Sequence, residues 1–130
     1  MARFGTKRWT IAVAGAALVG TIVVVREAGA GGDPDIAAGK ALYAQNCTTC
    51  HGTTGTGDGP GAAGLPKKPA SFAEPAAAVH TDEWRVRVVT EGGAAMGLSP
   101  RMPAFNDGLS AKQIQDVVTY VRKELSGPKT

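Results

Sequence analysis

The most informative part of the sequence is Cys47-Thr48-Thr49-Cys50-His51. Two thiols three positions apart at a helix end can be reached by both vinyl groups of one haem, which gives two thioether bonds. The next side chain, His51, is then directed at the iron as the proximal ligand. The spacing therefore predicts one haem c, attached through Cys47 and Cys50 and ligated by His51.

Three other interpretations of this motif must be weighed. The spacing also suits a disulfide in an exported protein or a thioredoxin-like redox pair, but the βαβ pattern of thioredoxin is absent from the surrounding sequence. A zinc site needs four ligands, and besides the motif the chain offers only His80, with no second close-spaced pair. The third interpretation is that the motif occurs by chance. The surrounding composition favours haem attachment over all of them.

The composition around the motif is that of a small domain with few core residues. Residues 31–130 hold 23 large apolar side chains, 14 glycines and all eight prolines. A chain of this kind usually needs a disulfide, a metal or a bound cofactor to stabilise its fold. Residues 52–78 contain six glycines and four prolines, which predicts a long irregular loop wrapped around something.

Three helices are predicted on either side of this loop. The first covers about residues 34–48, with Asp33 as N-cap and Pro34 at the first helical position. The second runs over about residues 81–91, with Trp84 and Val88 facing inward. The third starts at a capping box formed by Ser110 and Gln113, and its apolar residues follow at helical spacing. Because no alternating strand pattern occurs, we predict an all-α domain.

The net charge of +3 belongs to the first 30 residues, because residues 31–130 carry ten basic and ten acidic side chains. A nucleic-acid-binding surface needs clustered surplus Lys and Arg, so this function is excluded.

Residues 1–30 are predicted to be a signal peptide or an N-terminal membrane anchor. Residues 10–25 are uncharged, and as a helix they would rise about 24 Å, short of the roughly 30 Å hydrocarbon core. Ala28-Gly29-Ala30 is a small-x-small pattern, which favours cleavage after Ala30 and a soluble periplasmic domain. Trp9, Arg26 and Glu27 favour the alternative, an anchor in the inner membrane. In either case residues 31–130 form an exported domain.

The sixth position of the iron has three candidate ligands, Met102, Met96 and His80, and it could also be open. Met102 is favoured because Pro103 braces its loop between the two later helices. A Met ligand raises the reduction potential relative to bis-His ligation. Filling the core is the ordinary role of a lone Met, and His80 beside a helix start is more typical of the surface.

These residues together resemble the class I cytochrome c family, in its small bacterial exported branch. Gly39-x-x-Leu42-Tyr43 before the Cys47–His51 motif resembles the family's N-terminal helix, and Met102-Pro103-Ala104-Phe105 resembles its Met-ligand loop. The resemblance covers roughly residues 35–126. It implies three to five helices wrapped around one covalently attached haem, with the terminal helices crossing near Gly39 and Tyr120.

The resemblance also implies details of iron ligation. It raises Met102 above Met96 as the axial ligand, because Met96 lies outside the motif. It further implies that a proline carbonyl in the Gly-rich loop accepts the proton of His51. Pro60 and Pro66 are the candidates, and we favour Pro66.

The predicted function is one-electron transfer between exported or membrane redox partners. The haem is expected to be buried among Leu42, Leu65, Phe72, Trp84, Met96, Leu98, Phe105, Val117 and Val121. Lys67, Lys68 and Arg101 form a candidate cationic rim for an acidic partner, unless they are ordinary solvated loop charges. Two alternatives remain: a haem module of a larger membrane oxidoreductase complex, and an open-site haem sensor or peroxidase.

Overall fold

The computed structural model describes residues 32–127, and no strand occurs in that range. The all-α prediction is confirmed. The α-helices are α1 (Ile36–Asn46), α2 (Thr48–His51), α3 (Pro75–Ala78), α4 (Asp82–Ala95) and α5 (Ala111–Tyr120). A 3₁₀ turn covers Ala62–Gly64, and a π-helical turn, Val121–Leu125, continues α5.

Helix α1 starts two residues later than predicted. Its N-cap is Asp35, whose carboxylate accepts hydrogen bonds from the backbone N–H groups of Ala37 (2.8 Å) and Ala38 (3.1 Å). The prediction of Asp33 as the cap is wrong, and Pro34 lies before the helix. The reason is a tertiary contact, because the Asp35 N–H donates to the buried Asp116 carboxylate of α5 at 2.7 Å.

Helix α4 begins as predicted, with the Thr81 hydroxyl accepting from the Trp84 N–H at 3.2 Å. Its regular part ends after Glu91, also as predicted, because Gly92 has φ +82° and ψ 165°. One further turn follows, to Ala95. Val88 is buried, but Trp84 is only half-buried and stacks on His80 with ring centroids 3.7 Å apart.

Helix α5 has the predicted capping box. The Ser110 hydroxyl accepts from the Gln113 N–H (3.3 Å), and the Gln113 side chain accepts from the Ser110 N–H (2.8 Å). The residues at helical spacing after it are all buried, and they are Ile114, Val117, Val118, Val121 and Leu125.

The core lies where α1 crosses α5. A Cβ on Gly39 would overlap the backbone carbonyl of Asp116 and would lie 3.0 Å from Tyr120 Cβ. The absence of a side chain therefore lets the helix backbones touch, and the predicted crossing near Gly39 and Tyr120 is confirmed. Tyr43 and Tyr120 pack with ring centroids 5.5 Å apart, and Val117, Val121 and Leu125 complete the cluster.

The predictions for residues 1–30 lie outside the described residues. Within residues 32–127, no helix combines the length and the apolar character needed to cross a membrane.

Candidate functional site

The Cys47–His51 motif forms one tight turn that begins where α1 ends. Cys47 is both the C-cap of α1 and the N-cap of α2. Its carbonyl accepts from the N–H groups of Cys50 (3.2 Å) and His51 (2.9 Å). Both thiols are free and half-buried. The turn therefore holds two unpaired thiols and an imidazole on a single segment.

Burial keeps the Cys47 thiol neutral. The pKa of Cys47 is raised to about 11, mainly by loss of solvent on burial and to a smaller extent by the nearby Cys50 thiol. A thioether carries no charge, so converting this thiol to a thioether leaves no ionisable group in the buried position. The zinc interpretation gains no support, because no three His, Cys, Asp or Glu side chains among residues 32–127 are grouped to hold a metal ion.

The Gly-rich loop after the motif is fastened to the motif's backbone. Gly57, Gly59 and Gly61 donate their N–H groups to the carbonyls of His51 (2.9 Å), Cys50 (3.2 Å) and Thr49 (2.7 Å). A Cβ on Gly59 would overlap the carbonyls of Thr48 and Thr49. The alternate glycines therefore allow the loop to lie directly on α2.

Tyr43 supports the same turn from the core side. Its hydroxyl donates to the Gly52 carbonyl at 2.8 Å, and burial raises its pKa well above the usual value of 10.0. Gly52 has φ +76°, which turns the chain away from α2 into the loop. The end of the motif is thus tied to the α1/α5 core.

The His51 ring is oriented by a backbone carbonyl, but not by the one expected. Its Nδ1 lies 3.4 Å from the carbonyl oxygen of Ala70. The predictions of Pro66 and Pro60 as the source of this carbonyl are therefore wrong. A Cβ on Gly57 would overlap the Pro69 carbonyl, so a bare glycine there lets residues 69–70 close over the imidazole.

The environment of His51 favours the neutral imidazole. Burial lowers the pKa of His51, and the hydrogen bond to the Ala70 carbonyl partly opposes this shift. The ring stacks on Phe72 with centroids 4.7 Å apart, and the Phe72 N–H donates to the Gly55 carbonyl at 2.8 Å. With Nδ1 donating to Ala70, Nε2 carries the lone pair that can bind a metal.

The three candidates for the sixth ligand lie in two places. Met96 and Met102 are half-buried on the loop between α4 and α5, whereas His80 lies before α4 and stacks on Trp84. The Met102 N–H donates to the Ser99 carbonyl (3.1 Å), and its own carbonyl accepts from the Gly93 N–H (3.0 Å). Of the predicted site residues, the structure thus joins Cys47, Cys50 and His51 in one turn and places Met102 on a separate loop.

The apolar residues expected around the haem fall into two groups. Val117 and Val121 are buried in the α1/α5 core. The other seven keep part of their surface accessible, and Leu98 is 43% exposed. Accessible apolar side chains are what an apolar cofactor covers. With two free thiols, an oriented imidazole and a thioether, the residues present fit haem c.

Sequence reasoning missed three contributors to this arrangement. Ala70 provides the carbonyl for His51, Asp116 fixes the start of α1, and the Tyr43 hydroxyl holds Gly52. None of these three roles is indicated by the sequence itself. The sequence indicates only the close packing of the loop, through the alternation of glycines at Gly55, Gly57, Gly59 and Gly61.

Comparison with known proteins agrees with this geometry. Residues 36–124 match the family model described as "Cytochrome c". A solved structure named "KustC0563 c-type cytochrome" is 30% identical in sequence, with a TM-score of 0.51. The similarity covers 65% of this chain and 93% of that one. No curated protein matches the sequence.

Proposed function

This chain belongs to the cytochrome c family, and from that membership we propose that it is a one-electron carrier with a single haem c held by Cys47, Cys50, His51 and Met102. The observation that carries the proposal is the Cys47–His51 turn, which presents two free, half-buried thiols beside an oriented imidazole. Haem c, when bound, supplies an iron that cycles between Fe(III) and Fe(II).

The two thiols provide the covalent attachment. Cys47 and Cys50 would hold haem c covalently, each by adding its S–H across one vinyl double bond, with the new S–C bond on one carbon and the thiol hydrogen on the other. No group leaves and no oxidant is consumed. The neutral state of the Cys47 thiol and the neutral thioether product both suit its burial.

His51 is the proximal ligand in this proposal, through Nε2. The Ala70 carbonyl holds the proton on Nδ1 and makes the imidazole a better electron donor. Phe72 packs against one face of the ring and limits its rotation. The loop therefore fixes the orientation of the His51 ring, and electron transfer does not have to establish it.

Met102 is the sixth ligand in this proposal. Two backbone hydrogen bonds, to Ser99 and from Gly93, fix it on the loop. Met96 is also bonded to Gly93, through its N–H at 3.1 Å, and Met102 is preferred because it lies in the Met102–Phe105 stretch that resembles the family's Met-ligand loop. Ligands fixed by backbone contacts need little movement during electron transfer, which is what a carrier requires.

The cationic rim is compatible with docking of an acidic redox protein. Lys67, Lys68 and Arg101 are all exposed. The two lysines precede Ala70, which contacts His51, and Arg101 precedes Met102. Arg101 is therefore next to one proposed ligand in the chain, and Lys68 lies two residues before the carbonyl that orients the other. Positive charge at these places can steer a partner toward the haem edge.

We also propose that residues 1–30 export the domain to the periplasm. The intact mass of the mature protein tests this directly. A chain that begins at Gly31 indicates cleavage and a soluble carrier, whereas retention of residues 1–30 indicates an inner-membrane anchor.

The carrier function is tested by spectroelectrochemical titration of the purified holoprotein, together with its intact mass. We expect one covalently bound haem and a reversible transition with a slope of about 59 mV per decade, the value for one electron. Loss of covalent haem in Cys47→Ala with Cys50→Ala is the matched control. A protein that takes up no covalent haem, or that cannot be reduced and reoxidised reversibly, contradicts the proposal.

A further inference from the structure

The loop that carries Met102 closes on Gly93, at the end of α4. The Gly93 N–H donates to the Met102 carbonyl at 3.0 Å, and the Gly93 carbonyl accepts from the N–H groups of Leu98 (2.7 Å) and Met96 (3.1 Å). Both backbone polar groups of Gly93 are therefore used to hold this loop. Gly93 itself is buried.

Gly92 turns the chain so that this closure can form. Its φ of +82° lies in the region that favours glycine. A Cβ there would lie 2.8 Å from the Ala104 nitrogen and 3.2 Å from the Met102 oxygen. The Phe105 N–H donates to the Val89 carbonyl at 3.0 Å, so the chain after Met102 lies along the last regular turn of α4.

Gly93 also touches the point from which the Met102 side chain extends. A Cβ on Gly93 would overlap the Ser99 carbonyl and would lie 3.0 Å from Met102 Cβ. These two atoms are backbone or directly attached to it, so neither can move aside by a side-chain rotation. Any side chain at position 93 must therefore shift the loop and move the base of Met102.

We propose that Gly93 is a positioning residue that sets how strongly the Met102 sulfur binds the haem iron. The inference rests on the proposed ligation by Met102. It adds that a contact at the end of α4 determines how strongly the Met102 sulfur binds the iron. The absence of a side chain at position 93 keeps Met102 Cβ close to α4, and a methyl group there displaces it.

The test compares five variants of the holoprotein, which are Gly93→Ala, Met102→Ala, the combination of these two, Ser110→Ala and Gly108→Ala. A Cβ at Gly108 would meet no atom within 4 Å, so Gly108→Ala controls for the type of substitution. Ser110→Ala removes the side-chain cap of α5 and controls for loss of stability alone. The measurements are the rate of CO binding to the reduced protein, the reduction potential and the denaturant midpoint.

In Gly93→Ala, CO is expected to bind at least about tenfold faster than in the wild type, and the potential to fall toward that of Met102→Ala. In Ser110→Ala and Gly108→Ala, CO binding and potential stay at their wild-type values, although Ser110→Ala is less stable. In Gly93→Ala combined with Met102→Ala, the first substitution adds nothing to the CO rate, because its effect passes through Met102.

A second measurement does not depend on the folding of Gly93→Ala. If the two residues are coupled, removing the Met102 ligand loosens the bond that Gly93 donates to it. The Gly93 amide is then expected to exchange its hydrogen at least about tenfold faster in Met102→Ala than in the wild type. The Ile114 amide, in α5, is the internal reference and keeps its rate.

Three outcomes overturn the inference. Wild-type CO binding and potential in Gly93→Ala, with the expected changes in Met102→Ala, refute the role of Gly93 and leave ligation by Met102 intact. If the Gly93 amide hydrogen exchanges at the same rate in the wild type and in Met102→Ala, the role of Gly93 is likewise refuted and ligation by Met102 stands. Wild-type spectra and potential in Met102→Ala itself refute the proposed ligation, and the inference is refuted with it.

Discussion

Gly39→Ala is expected to force apart the two helices that form the core. The new methyl group overlaps the Asp116 carbonyl and lies 3.0 Å from Tyr120 Cβ. Neither the carbonyl nor the Cβ atom can rotate away, so α1 must shift by roughly 1 Å to restore an ordinary van der Waals separation. The shift affects every side chain that is buried between α1 and α5.

The loss of stability can be estimated from the side chains at this crossing. Tyr43, Val117, Tyr120 and Val121 are buried there, and burial of each contributes about 1.5–3 kcal/mol. A gap of this size removes about a quarter to a half of the contact attraction, or about 2–5 kcal/mol in all. The higher helix propensity of Ala offsets about 1 kcal/mol, which leaves a net loss of about 1–4 kcal/mol.

Urea denaturation of the holoprotein, followed by far-UV circular dichroism, measures this loss. Gly64→Ala is the matched control, since a Cβ at Gly64 meets no atom within 4 Å, and its stability should change by less than about 0.5 kcal/mol. A loss of about 2 kcal/mol in Gly39→Ala corresponds to a Tm about 8–16 °C lower. If Gly39→Ala unfolds at the same urea concentration as Gly64→Ala, the helix contact described above is not what stabilises the core.

Three further predictions concern the core and the docking surface. Asp116→Ala removes the acceptor of the Asp35 N–H and the partner of Lys112, both at 2.7 Å, and should lose about 2–3 kcal/mol in urea denaturation. Asp116→Asn should lose less, because it can still accept from Asp35, and equal losses would contradict this account. Tyr43→Phe should cost about 1 kcal/mol at neutral pH. Since the folded pKa of Tyr43 is raised above its unfolded value, the stability that its neutral hydroxyl provides is present below pH 10.0 and is lost as the pH rises above it. The difference in the free energy of unfolding between wild type and Tyr43→Phe should therefore decrease in denaturation series above about pH 10. A constant difference would refute the stabilising role of the Tyr43 hydroxyl. Finally, Lys67→Glu with Lys68→Glu should slow electron delivery from an acidic redox partner by about tenfold at low salt, with little difference at high salt, in stopped-flow experiments. Unchanged rates at low salt would remove the steering role.

The parts of the fold that sequence predicted are those specified by neighbouring residues. The capping box of Ser110 and Gln113 and the apolar spacing that follows it define α5 with no help from the rest of the chain. The start of α4 at Thr81 and its break at Gly92 are local in the same sense. The Cys47–His51 motif likewise places both thiols and the imidazole within five consecutive residues, so it could be recognised without the rest of the chain.

The parts that sequence did not predict depend on distant residues. The choice between Asp33 and Asp35 as the cap of α1 is decided by Asp116, which lies 81 positions after Asp35. The carbonyl at His51 comes from Ala70, 19 positions along a loop whose path is set by several close backbone contacts. The family resemblance implied a proline carbonyl, whereas any residue in the loop can provide one.

A closed haem site with His51 and Met102 as axial ligands can be tested by the visible spectrum of the reduced holoprotein, recorded with and without CO. We expect a low-spin spectrum that does not shift promptly on addition of CO in the wild type and does shift promptly in Met102→Ala. A prompt shift in the wild type would contradict the claim, because it would show an open or readily vacated sixth position and favour a sensor or an enzyme over a carrier.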